Sequence, residues 1–237
     1  MKRLLEKLLN LTEEDIFKPY SLEEVLQKKL KNCTLNPDGT YSSEGNVDLH
    51  GLGLTILPVK FKEVKGYFDC GHNKLTSLEG APREVKGYFY CNYNNLQTLE
   101  GAPEVVGGDF WCNNNNLTTL KGASEKVRGG FYCYRNKLTT LEGSPKKVGG
   151  YFDCNNNKLI SLKGIPEVVG GDFWCEFNKL RSLKGGPKEV GGNFGCEFNK
   201  LTSLKGCPKK VSGSFRCDNN PVPVDELKKT VKRDYFK

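Results

Sequence analysis

The sequence predicts a solenoid, a chain wound into short coils whose strands stack as a parallel sheet. Three observations carry that prediction. Cys70, Cys91, Cys112, Cys133, Cys154, Cys175, Cys196 and Cys217 stand 21 residues apart without a slip. A fixed period of roughly 20–50 residues is the signature of stacked repeats. A phenylalanine precedes each cysteine by two residues, from Phe68 to Phe215, and an asparagine follows by three, from Asn73 to Asn220. Leucine pairs, from Leu75 and Leu78 to Leu201 and Leu204, and a valine, from Val64 to Val211, complete the unit.

Each part of the unit has a physical reading. In residues 87–92, Phe89 and Cys91 lie two apart and share one face of a short strand, whereas Tyr88, Tyr90 and Asn92 share the other. Asn94 then turns the chain, and Leu96 and Leu99 point back inside. Gly101-Ala102-Pro103 suits a tight turn and an extended return rather than a full helix.

Three regions separate along the chain. Residues 1–45 are expected to form an N-terminal helical cap. Leu4, Leu5, Leu8, Leu9 and Leu11 make a helical stripe, and Ser21 with Glu24 is a capping box opening a helix through about Leu30. Asn36-Pro37-Asp38-Gly39 is a turn signal. Residues 46–220 hold nine 21-residue repeats, the first degenerate, with Val47, Leu49, Leu54, Leu57 and Val64 in the Phe, Cys, Leu, Leu and Val places. Residues 221–237 leave the pattern at Pro221 and Pro223, and Val224, Leu227, Val231 and Tyr235 have the spacing of a C-terminal capping helix. Caps are expected because a solenoid's open core and strand edge invite aggregation.

The string Phe-x-Cys-x-x-Asn-x-Leu-x-x-Leu resembles the leucine-rich repeat, L-x-L-x-x-N-x-L-x-x-L, and its short period with a Pro after the last Leu is similar to the bacterial type. The resemblance covers about 175 residues. It implies a right-handed curved solenoid with the parallel sheet on the concave face, and a macromolecular partner bound there. The Gly-Ala-Pro-x-x-Val-Gly-Gly variant also resembles repeat proteins encoded by bacteriophages and large viruses. For a phage-encoded chain this implies the host cytoplasm as location and a host protein as target.

Composition narrows the function. Met1–Asn10 carries Glu6 and Lys7 inside its apolar pattern and no uninterrupted apolar run follows, so neither a secretory signal nor a membrane span is expected. The ten cysteines then read as reduced thiols of a cytoplasmic protein. No Cys-x-x-Cys or Cys/His cluster offers a metal site. Side chains in register on parallel strands do not point at one another, which disfavours disulfides. The register cysteines are expected to be a buried ladder, and Cys33 and Cys207, off the register, the more reactive thiols. The asparagines are expected to bond backbone groups of their own turn and the next.

Function is sought where the repeats differ. Of 27 outward strand positions, eight are aromatic: Tyr67, Tyr88, Tyr90, Trp111, Tyr132, Tyr134, Tyr151 and Trp174. Eight are acidic: Asp48, Asp69, Asp109, Asp153, Asp172, Glu176, Glu197 and Asp218, against one firm cation, Arg216. The net charge of +8 therefore lies on return loops, at residues such as Lys121, Lys146, Lys147, Lys184, Lys209 and Lys210, and on the C-terminal tail. A nucleic-acid reader needs cations among its aromatics, so no nucleic acid is expected on this face.

Tyr and Trp favour strands in any case. They are also the residues most enriched at interface hot spots, and exposed clusters of them are a liability unless covered. The expectation is a protein partner with a basic, partly apolar surface. Tyr67, Tyr88, Tyr90, Trp111, Tyr132, Tyr134, Tyr151 and Trp174 would anchor it, and Asp109, Asp153, Asp172, Glu176 and Glu197 would steer it. Phe177 and Phe198 either extend the patch or pack down onto the turn. The rival reading is a carbohydrate-binding solenoid. No enzyme and no cofactor are expected, because the carboxylates repeat along an open sheet rather than converging in a pocket with shifted pKa values.

Overall fold

A computed structural model describes residues 22–223 and Asp225. The described residues divide into two units between Lys31 and Asn32. In the first, the helix Leu22–Leu30 carries Lys28 and Lys29 in its last turn, where cations favour the helix dipole. The Leu4–Leu11 stripe, the Ser21 cap and the expected helix beyond Pro223 lie outside the described residues.

In the second unit, Val47–Asp48 and then each register phenylalanine with its following residue, from Phe68–Asp69 to Phe215–Arg216, form the rungs of a nine-stranded parallel sheet. The register is one full repeat per step. Phe131 lies opposite Phe110 on one side and Phe152 on the other. Inside the coils, Phe, Cys, Leu, Leu and Val at these positions are almost wholly buried from the second repeat to the eighth. Neighbouring phenylalanine rings stack or tilt with centroids 5.0–5.8 Å apart along the axis. Burying each such large apolar side chain stabilises by about 1.5–3 kcal/mol, so the core is one thin ladder repeated.

Two features differ from the sequence-based expectation. The extended return forms a second parallel sheet rather than a bare connection. Rungs such as Glu84–Val85, Lys126–Val127 and Lys210–Val211 pair coil to coil in a ten-stranded sheet. The reason is backbone satisfaction. Each buried return valine brings its N–H and C=O into line with those of the next coil, and paired groups are the stable solution. Residues 33–43, expected within a helical cap, instead form a hairpin. Cys33–Leu35 runs antiparallel to Tyr41–Ser43, which pairs in parallel with Phe61–Val64. The Asn36–Gly39 signal is its turn, with Gly39 N–H donating to Asn36 O and Gly39 at φ 79°.

The asparagine ladder closes each turn. Asn136 Nδ2 donates to the carbonyls of Cys112 and Cys133, each at 3.1 Å, and Tyr134 at 3.3 Å, while its Oδ1 accepts from Leu117 N–H at 3.0 Å. The pattern recurs from Asn73 to Asn220. Closing this turn forces the residue before each asparagine into the left-handed region, with φ between 51° and 57° from His72 to Asn219.

Candidate protein interface

The outward column next to the phenylalanines runs Asp48, Asp69, Tyr90, Trp111, Tyr132, Asp153, Trp174, Gly195 and Arg216, each opposite the next in the sheet. In-register strands lie about 4.8 Å apart, close to the spacing of stacked rings. Tyr90 stacks on Trp111 at 6.4 Å, and Trp111 on Tyr132 at 3.8 Å and 11°. Tyr67 and Tyr88 reach Tyr90 at 6.3 and 6.1 Å, extending the group toward the first coils. Tyr88 and Tyr151 are nearly half exposed. Glycine makes room for this packing: a Cβ on Gly130 would lie 2.7–2.8 Å from the Tyr132 ring. Five of the named aromatics thus come together in one continuous group, and Trp174 stands apart from it.

Trp174 leans over Gly195 instead. A Cβ there would sit 2.5 Å from both the indole edge and Glu176 Oε1, so ring and carboxylate share the groove that the missing side chain leaves. Arg216 lies over the same indole at 6.0 Å, within cation–π range. Tyr134 is partly buried, and burial pushes its hydroxyl pKa up.

The carboxylates divide by role. Asp109 Oδ1 accepts from Gly130 N–H and Asp172 Oδ1 from Asn193 N–H, both at 2.7 Å. These two tie one strand start to the next, a structural task the sequence did not reveal. Asp153 accepts from Asn155 N–H at 3.0 Å, yet burial still raises its carboxyl to about 6. Glu176 is raised to about 7, first by burial, with Glu197 and Asp153 adding repulsion against the lowering effect of a backbone hydrogen bond. Glu176 Oε2 and Glu197 Oε2 are buried without hydrogen-bond partners. Shifted carboxylates on an open face were not expected, and stacking makes them: neighbouring large side chains strip water from groups that would be exposed on a single strand. Burial and Asp109 push Tyr132 to about 12.

The thiols are free, and those from Cys70 to Cys196 are buried. Burial raises their pKa values far above the usual thiol range. They do more than fill space. Cys70, Cys112, Cys154, Cys175 and Cys196 each donate Sγ–H to a carbonyl of the next coil at 3.2–3.4 Å. Cys33 is also raised by burial, which disfavours the reactive thiolate expected of it.

On the opposite sheet, Lys126, Arg128 and Lys147 line a groove of about 710 Å³. On the return side, cations meet acids one coil away: Arg83–Glu104, Lys121–Glu100, Lys146–Glu125, Lys163–Glu142 and Lys188–Glu167. Among the described residues, no group of three or more His, Cys, Asp or Glu is placed to hold a metal ion. Among the same residues, no helix is long and apolar enough to cross a membrane.

The period, the parallel sheets and the asparagine turns make this a leucine-rich-repeat-like solenoid. No family model matches the chain. No curated protein matches it either. Among solved structures it is similar to YopM from Yersinia enterocolitica WA-314, at 18% identity and a TM-score of 0.44, over 88% of this chain and 53% of that one. The chain thus spans about half the length of that structure.

Proposed function

We propose that this solenoid is a non-catalytic protein-binding module that docks a partner with a basic, partly apolar surface across the outward face of its nine-stranded sheet. The observation that carries this reading is the continuous aromatic group Tyr67, Tyr88, Tyr90, Trp111 and Tyr132, flanked by Asp109 and Asp153. Rigid, pre-stacked Tyr and Trp offer large contact area with little side-chain entropy left to lose on binding. The carboxylates around them would steer a cationic partner. Their placement disfavours nucleic acid on this face, since the cations Lys126, Arg128 and Lys147 line the other sheet. Carbohydrate is the weaker reading: sugars need a free ring face, whereas Trp111 and Tyr132 turn theirs toward each other at 3.8 Å.

In its finer form, the proposal is of a phage or bacterial protein that acts in the cytoplasm by binding or inhibiting a host protein. Affinity capture from host lysate with the intact chain and with a Tyr132→Ala, Trp174→Ala variant tests both levels. A protein retained by the first and lost by the second supports the reading. Equal capture by a correctly folded variant, or a glycan array that lights up while no protein is captured, defeats it.

A further inference from the structure

A departure from what folding alone favours lies at one corner of this face. The left-handed position before each ladder asparagine suits residues without a bulky side chain. The chain places Asn114, Asn156 and Asn219 there in three coils, and the polar or part-polar His72, Tyr93 and Arg135 in three others. In two successive coils it places Phe177 and Phe198, each at φ 54°. These phenylalanines do not pack down onto the turn. They stand about half exposed, stacked on each other at 4.5 Å and 7°.

A second local conflict lies directly beside them. Glu176, Glu197 and Asp218 precede the left-handed residues in three consecutive coils, so like charges stack on adjacent strands, an arrangement that destabilises a sheet. Elsewhere in the chain, coil-to-coil neighbours repeatedly carry opposite charge and pair. Among the described residues, none of these three carboxylates forms an ion pair, and Arg216 is committed to the Trp174 ring. Folding alone favours Asn at 177 and 198 and a cation or neutral residue at 197. Strained, exposed and repelling groups persist where another requirement holds them.

We infer that Glu176, Glu197 and Asp218, with the Phe177–Phe198 stack as an apolar wall, form a subsite for an arginine or lysine side chain on an extended segment of the partner. This rests on the proposed protein-binding function and gives it an anchor apart from the Tyr90–Trp111–Tyr132 stack. The cation would supply the counter-charge missing between the carboxylates, and its alkyl stem or an apolar neighbour would lie against the phenyl rings. The chemistry required is specific, because a chain of net charge +8 otherwise repels basic peptides.

The test is an immobilised array of extended hexapeptides in which Arg alternates with Leu, Ile or Phe, beside matched arrays carrying Glu or Gln in place of Arg. Purified full-length chain is expected to bind the Arg array selectively and less well as salt rises. Glu176→Gln with Glu197→Gln keeps the shape and removes charge; binding is expected to fall about tenfold or more. Phe177→Asn with Phe198→Asn installs the residue that three other coils carry at this position. It is expected to lose binding to a similar degree while its melting temperature holds or rises, a combination a merely structural role would not give. No selectivity for the Arg array, binding unchanged in either pair of variants, or a lower melting temperature in the Phe→Asn pair overturns the subsite. A captured partner lost on Trp111→Ala, Tyr132→Ala but indifferent to the corner variants would overturn it while leaving the proposed function standing.

Discussion

Asn136→Ala perturbs one rung of the ladder, and the hydrogen bonds allow its cost to be worked out. The carbonyl of Cys112 accepts from both Asn115 and Asn136, and that of Cys133 from both Asn136 and Asn157. Each therefore keeps one donor when Asn136 is truncated. Leu117 N–H has no such reserve, because its bond is to Asn136 Oδ1. One orphaned buried donor costs about 1–3 kcal/mol, and the weakened acceptors add a fraction more, so the loss is about 2–4 kcal/mol. Sharing also makes a sharper prediction. Asn115→Ala with Asn136→Ala strips both donors from the Cys112 carbonyl, and the pair should exceed the sum of the singles by about 1 kcal/mol. Asn94→Ala with Asn157→Ala shares no carbonyl and should add simply. Urea titrations followed by tryptophan fluorescence measure all of these. Asn136→Ala melting like the parent, or the adjacent pair behaving additively, would refute the shared ladder.

Three further outcomes are expected. Asp153 and Glu176 are raised to about 6 and about 7, so the folded chain holds protons that the unfolded chain has already released. Stability should therefore fall as pH rises from about 4 to 7, by at most about 3 kcal/mol for Asp153 and nearer 1 for the more exposed, solvent-screened Glu176. Thermal melts of Asp153→Asn, Glu176→Gln should show a flatter pH profile, and an unchanged profile would contradict the burial argument. In the native protein a thiol reagent should modify only Cys33, Cys207 and Cys217, which are partly accessible, and reach the other seven on unfolding; fast labelling of Cys133 would disprove the sealed ladder. Gly195→Ala puts a methyl 2.5 Å from the Trp174 ring and Glu176 Oε1, so the indole must move and its emission should shift; an unaltered spectrum would contradict the packing.

Strict repetition made the core readable before any coordinates. Phe89, Cys91, Asn94, Leu96 and Leu99 each have one role repeated coil after coil, so the inward face and turn follow from spacing alone. The return sheet was harder to see because its rungs are two residues long and the outward member changes freely, from Glu84 to Val105 to Lys126. Nothing in such a pair separates a paired strand from an extended connection. Cys33–Leu35 escaped notice for a different reason: its partner is a non-repetitive strand, and antiparallel pairing depends on the turn between them. On the outward face of the nine-stranded sheet, the aromatic and acidic residues could be named from alternation. Which acids hold neighbouring strands, as Asp109 and Asp172 do, and which are desolvated, as Asp153 and Glu176 are, depends on residues 21 positions away.

The central claim is that the stacked aromatics of the nine-stranded sheet bind a protein. Its most direct test is the dissociation constant of a captured partner for the intact chain and for Trp111→Ala, Tyr132→Ala, compared where both remain folded by circular dichroism. Two hot-spot residues of about 2 kcal/mol each predict a loss of about a thousandfold. Affinities within about threefold of each other would place the binding energy elsewhere on the chain and contradict the account.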